Sequence, residues 1–337
     1  MPSDLHGDWV RVGSNGFGFR ALIGWEQLPP QRTFVEVAGV ATDSQDRVYV
    51  FSRGADPVMV FSPDGKFQSS WGAGLFVRPH GITIGPDDGV YCTDDLDHTV
   101  RKFTTDGRLL MTLGTSGQGS ETGIQGNDYR TIRRGAPPFH WPTNLAIGPD
   151  GMLYVTDGYG NARVHKFTPD GRLVLSWGEP GSGPGQFNLP HGIAVDSQGR
   201  VYVADRENSR VQIFSGEGRL VSEWTDVARP MQVCIDRDDN VFVSEVGWHA
   251  GLYPWQQPPA ADAPAARVSI FDSSGVVRAR WGEKANPCAP GNFYAPHDLC
   301  LDTRGDLYVG EVVMSAGGKQ GKVPADCHAL QKFVRDR

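Results

Sequence analysis

Short runs of alternating apolar and polar residues recur along the chain and predict β-strands. The clearest example runs from Pro190 to Phe214, where GIAVD and RVYVAD read as two strands joined by a Ser-Gln-Gly turn, and RVQIF reads as a third. This alternation, with glycine at the turn, is typical of antiparallel strands joined by tight turns. The pattern therefore predicts an all-β protein.

The same unit recurs six times, which is the sequence signature of a repeat architecture. A third strand follows most copies, and a fourth strand ending in Trp-Gly follows several of them. Four strands per unit and six units predict a six-bladed β-propeller that resembles the NHL-repeat propellers. The copies align on one head position, occupied in order by Ala38, His80, Thr143, His191, Met231 and His297.

The two ends of the chain complement each other. ALQKFV near the C-terminus reads as a third strand with no fourth, and FRALIGW near the N-terminus reads as a fourth strand with no blade. Their pairing closes the ring and removes an exposed edge. We therefore predict one propeller domain over residues 1–337, closed by an N-terminal strand, with insertions at about 114–141, 247–266 and 282–294. Insertions this long are more often functional than not, and disordered surface loops are the alternative.

Composition and charge argue against several classes of binding partner and cellular location. The formal net charge of −7 argues against nucleic acid and membrane surfaces as partners, and no run approaches the roughly 18 apolar residues that span a bilayer. The N-terminus shows no apolar segment of a secretory signal. Cys92, Cys234 and Cys300 lie in apolar strand patterns, where a reduced cysteine behaves as a small core residue. These features predict a cytoplasmic protein.

Histidine occupies the head position in every second blade, at His80, His191 and His297. Alternate blades of a six-bladed ring lie about 120° apart around the central channel, so three imidazoles converge on one point. Three histidines with an open fourth position are the ligand set of a catalytic zinc site, although copper, iron and nickel also accept imidazole. A repeat consensus at a turn, with each histidine bonded locally, is the alternative.

The corner after the second strand of each blade holds three further candidates. Arg53 and Arg206 occupy the same slot in the first and fourth blades, and Tyr159 lies beside that slot in the third. Two guanidiniums facing the axis beside a dication predict a carboxylate clamp. A tyrosine near the metal can act as a base. The acidic residues that open most of these corners are interpreted as structural.

These segments together resemble one family, the peptidyl-α-hydroxyglycine α-amidating lyases. The resemblance covers all six blades and is carried by RPHGITI, VTDGYGNARV, LPHGIAVD, ADRENSRVQIF and APHDLCLD. It implies a structural calcium ion on the axis, bound by Asp298 and by backbone oxygens near Val40 and Ile82. The resemblance also implies that His80, His191 and His297 are zinc ligands. It implies a catalytic tyrosine at Tyr159 and active-site arginines at Arg53 and Arg206.

The chain departs from the family at three positions. Secreted members carry disulfides where this chain has Gly160 and Val203, which is typical of a bacterial-type, cytosolic relative. Where the family places a methionine against the substrate, this chain has Ala295. The substrate is therefore expected to be a carboxylate that is either a small molecule or derived from a peptide.

The function predicted from these residues is a zinc-dependent lyase. It cleaves the C–N bond of an α-hydroxyglycine-type carbinolamide, giving an amide and glyoxylate or a related aldehyde. Two alternatives stay open. The same site can activate water in a hydrolase that acts on a lactone, ester or amide, because fold does not settle function. The second alternative is a non-catalytic NHL propeller that binds other proteins.

Overall fold

Six antiparallel sheets form the architecture of this chain, whose computed structural model describes residues 9–248, 262–282 and 285–336. Five sheets have four strands, and the last has five because the N-terminal strands join it. The innermost strands of successive sheets contact one another in a closed ring. The predicted six-bladed β-propeller is confirmed.

The chain enters the fold through an N-terminal hairpin, β1 (Val10–Ser14) and β2 (Phe17–Leu22). Blade one then consists of β3 (Val37–Thr42), β4 (Val48–Ser52), β5 (Val58–Phe61) and β6 (Phe67–Trp71). Blade two consists of β7 (Pro79–Ile84), β8 (Val90–Asp94), β9 (Thr99–Phe103) and β10 (Leu109–Gly114). Blade three consists of β11 (Pro142–Ile147), β12 (Leu153–Asp157), β13 (Arg163–Phe167) and β14 (Leu173–Trp177).

The second half of the ring repeats this order. Blade four consists of β15 (Pro190–Val195), β16 (Val201–Asp205), β17 (Arg210–Phe214) and β18 (Leu220–Trp224). Blade five consists of β19 (Pro230–Ile235), β20 (Val241–Glu245), β21 (Arg267–Phe271) and β22 (Val277–Gly282). Blade six contributes β23 (Pro296–Leu301), β24 (Leu307–Glu311) and β25 (Leu330–Arg335). The helical segments of the described residues are one short α-helix, α1 (Val313–Ala316), and 3₁₀ turns at Tyr129–Thr131, Arg206–Asn208 and Gly318–Gln320.

The ring closes through the N-terminal strand, as predicted. β2 pairs antiparallel with β25 and supplies the fourth strand of blade six, and β1 adds a fifth strand outside it. Phe19 of β2 is fully buried in a core cluster with Trp281 and Phe333. The two ends of the chain are therefore held in one sheet and one apolar core.

Each innermost strand is irregular at its head residue. The pairing of β7 with β8, for example, runs from Pro79 opposite Asp94 to Ile82 opposite Cys92, with a register shift in between. The same shift follows the first residue of the innermost strand in all six blades. A β-bulge re-aims the side chain that it contains, so the head positions are turned in the same way around the ring.

The cysteines fall into two groups. Cys92 is buried and Cys234 and Cys300 are partly buried, and all three are free thiols, as predicted. Cys288 and Cys327 form a disulfide bond that the sequence analysis did not predict. Disulfides are typical of oxidising compartments, so this bond weakens the redox argument for a cytoplasmic location, which stays a prediction.

The three predicted insertions are described by the structure to different extents. Residues 114–141 contain a 3₁₀ turn at Tyr129–Thr131 and reach the cavity described below. Residues 249–261 of the second insertion and residues 283–284 of the third lie outside the described residues. Among the described residues, no helix has the length and apolar character needed to cross a membrane.

Replacing Phe19 with alanine tests the closure of the ring. The variant leaves a cavity between β2 in blade six and Trp281 in blade five, so we expect the free energy of unfolding to fall by about 3–5 kcal/mol. Val10→Ala, on the exposed outer strand, is the control and is expected to change stability by no more than about 0.5 kcal/mol. Urea unfolding measures both variants, and equal effects would contradict this account of closure.

Candidate metal centre

Three histidine side chains meet on the propeller axis. His80, His191 and His297 are buried, and their candidate ligand atoms lie within 4.8 Å of one another. Their ring centroids are 4.6–4.8 Å apart in all three pairings. In the part of the chain that the structure describes, no other group of three or more His, Cys, Asp or Glu side chains converges in this way. The group could hold a metal ion.

Backbone carbonyls of the intervening blades orient these rings. Since a carbonyl oxygen only accepts hydrogen bonds, each histidine Nδ1 carries the proton and donates it, which leaves the Nε2 lone pair available to a metal. Around the ring, the head position thus alternates between a histidine ligand and a residue whose backbone carbonyl accepts the hydrogen bond of that histidine. The three Nδ1···O distances are 2.6 Å from His80 to Thr143, 2.8 Å from His191 to Met231 and 2.7 Å from His297 to Ala38.

The surroundings keep the three imidazoles neutral. Burial lowers the pKa of His80, His191 and His297 well below the ordinary value for histidine, and the positive charge of Arg53 lowers each of them further. A metal binds the neutral form of histidine. The ligand set therefore needs no proton loss at neutral pH.

The three Nε2 lone pairs at the centre outnumber the protons that neighbouring groups can donate to them. Tyr159 Oη lies 3.2 Å from His80 Nε2 and 3.1 Å from His191 Nε2, but a phenol has one proton and can donate it to only one of them. His297 Nε2 is buried and has no hydrogen-bond partner among the described residues. A buried acceptor without a partner is costly. A cation shared by the three Nε2 atoms resolves this imbalance, so the residues present fit a metal.

Arg53 is fixed at one side of the centre. Its Nη1 donates to Glu36 Oε1 at 2.9 Å, and its Nε donates to the Pro79 carbonyl at 3.0 Å. Glu36 in turn accepts a hydrogen bond from the Ser315 backbone N–H at 2.7 Å. The guanidinium is therefore held by groups from three segments of the chain and lines the cavity beside the histidines.

Arg206 is held by a second acidic residue. Its Nε donates to Glu207 Oε1 at 2.8 Å, and Arg229 Nη2 donates to the same oxygen at 2.7 Å. Burial raises the pKa of Glu207, but the two guanidinium charges outweigh it, and the pKa lies below its usual value. Glu207 is thus ionised, and Arg206 keeps its charge in a buried site.

These side chains line one cavity of about 370 Å³. His297, Tyr159, Arg53 and Arg206 contribute to its wall, so the structure brings the predicted zinc, tyrosine and arginine positions together. Among the described residues that line it there is no carboxylate. An excess of guanidinium groups suits a negatively charged ligand.

Sequence reasoning missed Arg78 and Trp141, which line the same cavity. Both stand two residues before a head position, as does Ala295, which also lines the cavity. Of these three residues, only Ala295 is among the positions singled out from the sequence. A comparison of the same slot in all six blades would have found the other two residues.

Asp298 lies beside the axis next to His297. Burial raises the pKa of its carboxyl to about 8, and only neutral groups oppose this effect: Gln232 Nε2 and the backbone N–H groups of Val40 and Leu299. A cation at Asp298 would compensate this buried carboxylate. Hard oxygen ligands suit calcium, but a calcium site usually has six or more of them. The predicted calcium site therefore stays a prediction.

Comparison with known proteins relates the chain to a repeat family and to a group of enzymes. Residues 187–214, which span blade four from its first strand to its third, match the NHL repeat. NHL repeat-containing protein 3 of Homo sapiens is 33% identical over 221 residues, which cover 62% of this chain and 60% of that protein.

Other relatives are named as amidating enzymes. Peptidyl-glycine alpha-amidating monooxygenase A of Xenopus laevis is 31% identical over 307 residues, which cover 86% of this chain and 30% of that protein. Peptidyl-alpha-hydroxyglycine alpha-amidating lyase 1 of Drosophila melanogaster is 30% identical over 277 residues, which cover 74% of this chain and 45% of that protein. The chain thus spans less than half the length of both.

Solved structures share the fold at low identity. A virginiamycin B lyase from Staphylococcus aureus has a TM-score of 0.57 at 15% identity, covering 98% of this chain and 100% of that chain. A gluconolactonase from Xanthomonas campestris has a TM-score of 0.61 at 14% identity, covering 98% of this chain and 96% of that chain. Taken together, this chain is a propeller with an NHL repeat and has relatives named as amidating lyases.

Proposed function

We propose that this protein is a metal-dependent lyase that cleaves the C–N bond of an α-hydroxyglycine-type carbinolamide. The observation that carries the proposal is the position of Tyr159, whose Oη lies 3.1–3.2 Å from Nε2 of His191 and His80. A phenol in this position is next to both the three histidines that would hold a metal and a cavity with arginines in its wall. The names of the two amidating relatives support the same activity.

The three histidines would hold the metal through Nε2, and we propose zinc because neutral imidazole suits it. Bound there, zinc supplies Lewis-acid polarisation of the substrate oxygen. The hydrogen bonds from each Nδ1 to a carbonyl keep the rings in the orientation that this requires.

Arg53 and Arg206 bind the substrate carboxylate. Both guanidiniums reach the cavity from positions fixed by Glu36 and Glu207, so they are in place before the substrate enters. Charged hydrogen bonds from a preorganised donor are stronger than those from a mobile one. The carboxylate is thereby oriented so that the carbinol hydroxyl points toward Tyr159.

Tyr159 carries a proton from the carbinol hydroxyl to the nitrogen of the breaking C–N bond. Its phenolate accepts the proton of the carbinol hydroxyl, the C–O bond becomes a carbonyl, and the electron pair of the C–N bond leaves with nitrogen. The phenol then returns the proton to nitrogen. The products are a primary amide and glyoxylate, no water is consumed, and the tyrosine is regenerated.

Product analysis tests the proposal. The metal-loaded protein is incubated with an N-acyl-α-hydroxyglycine at a pH where the uncatalysed reaction is slow. We expect the amide and glyoxylate to form in equal amounts. Release of the carboxylic acid from an amide or lactone substrate, without glyoxylate, would instead indicate a hydrolase and would contradict the lyase.

Replacing His191 with alanine removes one of the three ligands. We expect the purified wild type to hold about one metal ion per chain, and the affinity of His191→Ala to fall by at least 100-fold because two ligands remain. Metal analysis after dialysis against a weak chelator measures the difference. His140→Ala, outside the group, is the control and should retain the metal; loss from both variants would contradict the assignment.

Replacing Tyr159 with phenylalanine removes the proton carrier and leaves the ring. We expect kcat for glyoxylate release to fall by about 100-fold or more, with the metal content unchanged. Steady-state kinetics and metal analysis check this outcome. Tyr154→Phe in the second strand of the same blade is the matched control. A Tyr159→Phe protein with wild-type kcat would exclude the tyrosine as the base.

Replacing Asp298 with asparagine tests the calcium site. If Asp298 binds calcium, millimolar calcium raises the Tm of the wild type by several degrees, since a ligand that binds only the folded state stabilises it. Asp298→Asn should lose this rise, and Asp106→Asn, in an exposed turn, should keep it. Calorimetry measures the shift, and a wild type that does not respond to calcium would rule out the site.

A further inference from the structure

We propose that Arg78 binds a second anionic group of the substrate and so selects α-hydroxyglycine conjugates whose acyl part carries a carboxylate. This inference rests on the proposed lyase function and names its substrate class. It starts from the cavity, to which Arg53, Arg78 and Arg206 contribute guanidiniums. None of the other described residues in its wall contributes a carboxylate.

The three arginines lie at different depths. The side chain of Arg206 is 2% exposed, that of Arg53 is 16% exposed and that of Arg78 is 38% exposed. The two deeper arginines suffice for the carboxylate of the glycine unit, because one carboxylate accepts two guanidiniums in full. Arg78 is therefore at the mouth of the cavity, where the acyl part of the substrate leaves the centre.

Arg78 is held in place by an ion pair with Asp95. Its Nε lies 2.8 and 2.9 Å from the two carboxylate oxygens of Asp95, and Asp95 Oδ1 also accepts a hydrogen bond from the Leu96 backbone N–H. Asp95 is fully buried, so this anchor is not available to the substrate. A guanidinium fixed in this way loses little conformational freedom when it binds an anion.

The position of Arg78 sets the spacing of the two anionic groups. Its Cζ lies 5.6 Å from the centroid of the Tyr159 ring, and Cζ of Arg206 lies at the same distance. The two guanidiniums thus both lie near the proposed base and are no more than twice that distance apart. A molecule with two carboxylates joined by a short chain can reach both while its carbinol carbon stays near Tyr159.

Other polar groups surround the mouth. Asn127 and Tyr129 of the first insertion line the cavity and bring an amide and a phenol to it. Both side chains can donate hydrogen bonds to an anion. Leu96 and Trp141 also line the cavity and provide apolar surface for the chain between the two carboxylates.

Two inert ligands of equal length test this inference by binding alone. N-glutarylglycine carries the second carboxylate and N-valerylglycine does not, and neither has the hydroxyl group needed for reaction. Isothermal titration calorimetry measures both with the metal-loaded wild type and with Arg78→Gln. We expect the wild type to bind glutarylglycine about tenfold more tightly. Arg78→Gln should reduce this preference to about twofold or less.

Two further variants control for folding and for charge in general. Arg78→Gln with Asp95→Asn removes the ion pair as a unit, so that no buried carboxylate is left without its partner, and it should lose the preference as well. Arg108→Gln, in an exposed turn of the same blade, should keep it. A preference that survives in both Arg78 variants, or that is missing in the wild type, would overturn the inference.

Turnover of the matching α-hydroxyglycines separates this inference from the lyase proposal. Glyoxylate release from N-glutaryl- and N-valeryl-α-hydroxyglycine is compared in the wild type and Arg78→Gln. If neither is cleaved while the binding preference depends on Arg78, the lyase is wrong and the anion site stands. If both are cleaved with equal kcat/KM in both proteins, the lyase stands and the role of Arg78 is wrong.

Discussion

The hydrogen bond from a histidine Nδ1 to the backbone carbonyl of the next blade is the interaction on which the centre depends. It occurs three times, at 2.6–2.8 Å, and each time the acceptor is the head residue of a blade without histidine. Because the acceptor is backbone, its position is set by the packing of innermost strands and tolerates different side chains: Ala38, Thr143 and Met231. The alternation of histidine around the ring is thus a division of roles between neighbouring blades.

This arrangement works only if the ring is closed and each innermost strand keeps its register. The donor His297 belongs to blade six and its acceptor belongs to blade one, so this hydrogen bond crosses the closure of the ring. The pairing of β2 with β25 completes blade six at that same place. Stability of the closure and geometry of the metal centre are therefore coupled. The innermost strands that carry the three converging histidines each have a bulge at the head residue, which re-aims the side chain there.

Much of this could be predicted from the sequence because a repeat exposes equivalent positions. The strand periodicity indicated the blades, the unmatched strands at the ends indicated the closure, and the recurrence of histidine indicated the centre. Arg78 was missed because its slot does not show one residue type around the ring. The partners Cys288 and Cys327, 39 residues apart, were missed because the loops that bring them together have no periodicity. The ion pairs of Glu36 with Arg53 and of Glu207 with Arg229 were missed for a similar reason, because the partners lie 17 and 22 residues apart in the sequence.

Anomalous diffraction at the zinc edge from crystals of the purified protein shows whether the three histidines bind a metal ion on the axis. We expect one peak on the axis, about 2.0–2.1 Å from Nε2 of each of His80, His191 and His297, with each Nδ1 still hydrogen-bonded to its carbonyl. Data collected at the edges of other transition metals identify the ion if it is not zinc. Metal-replete crystals with no peak on the axis, or with a metal bound through Nδ1, would contradict the account.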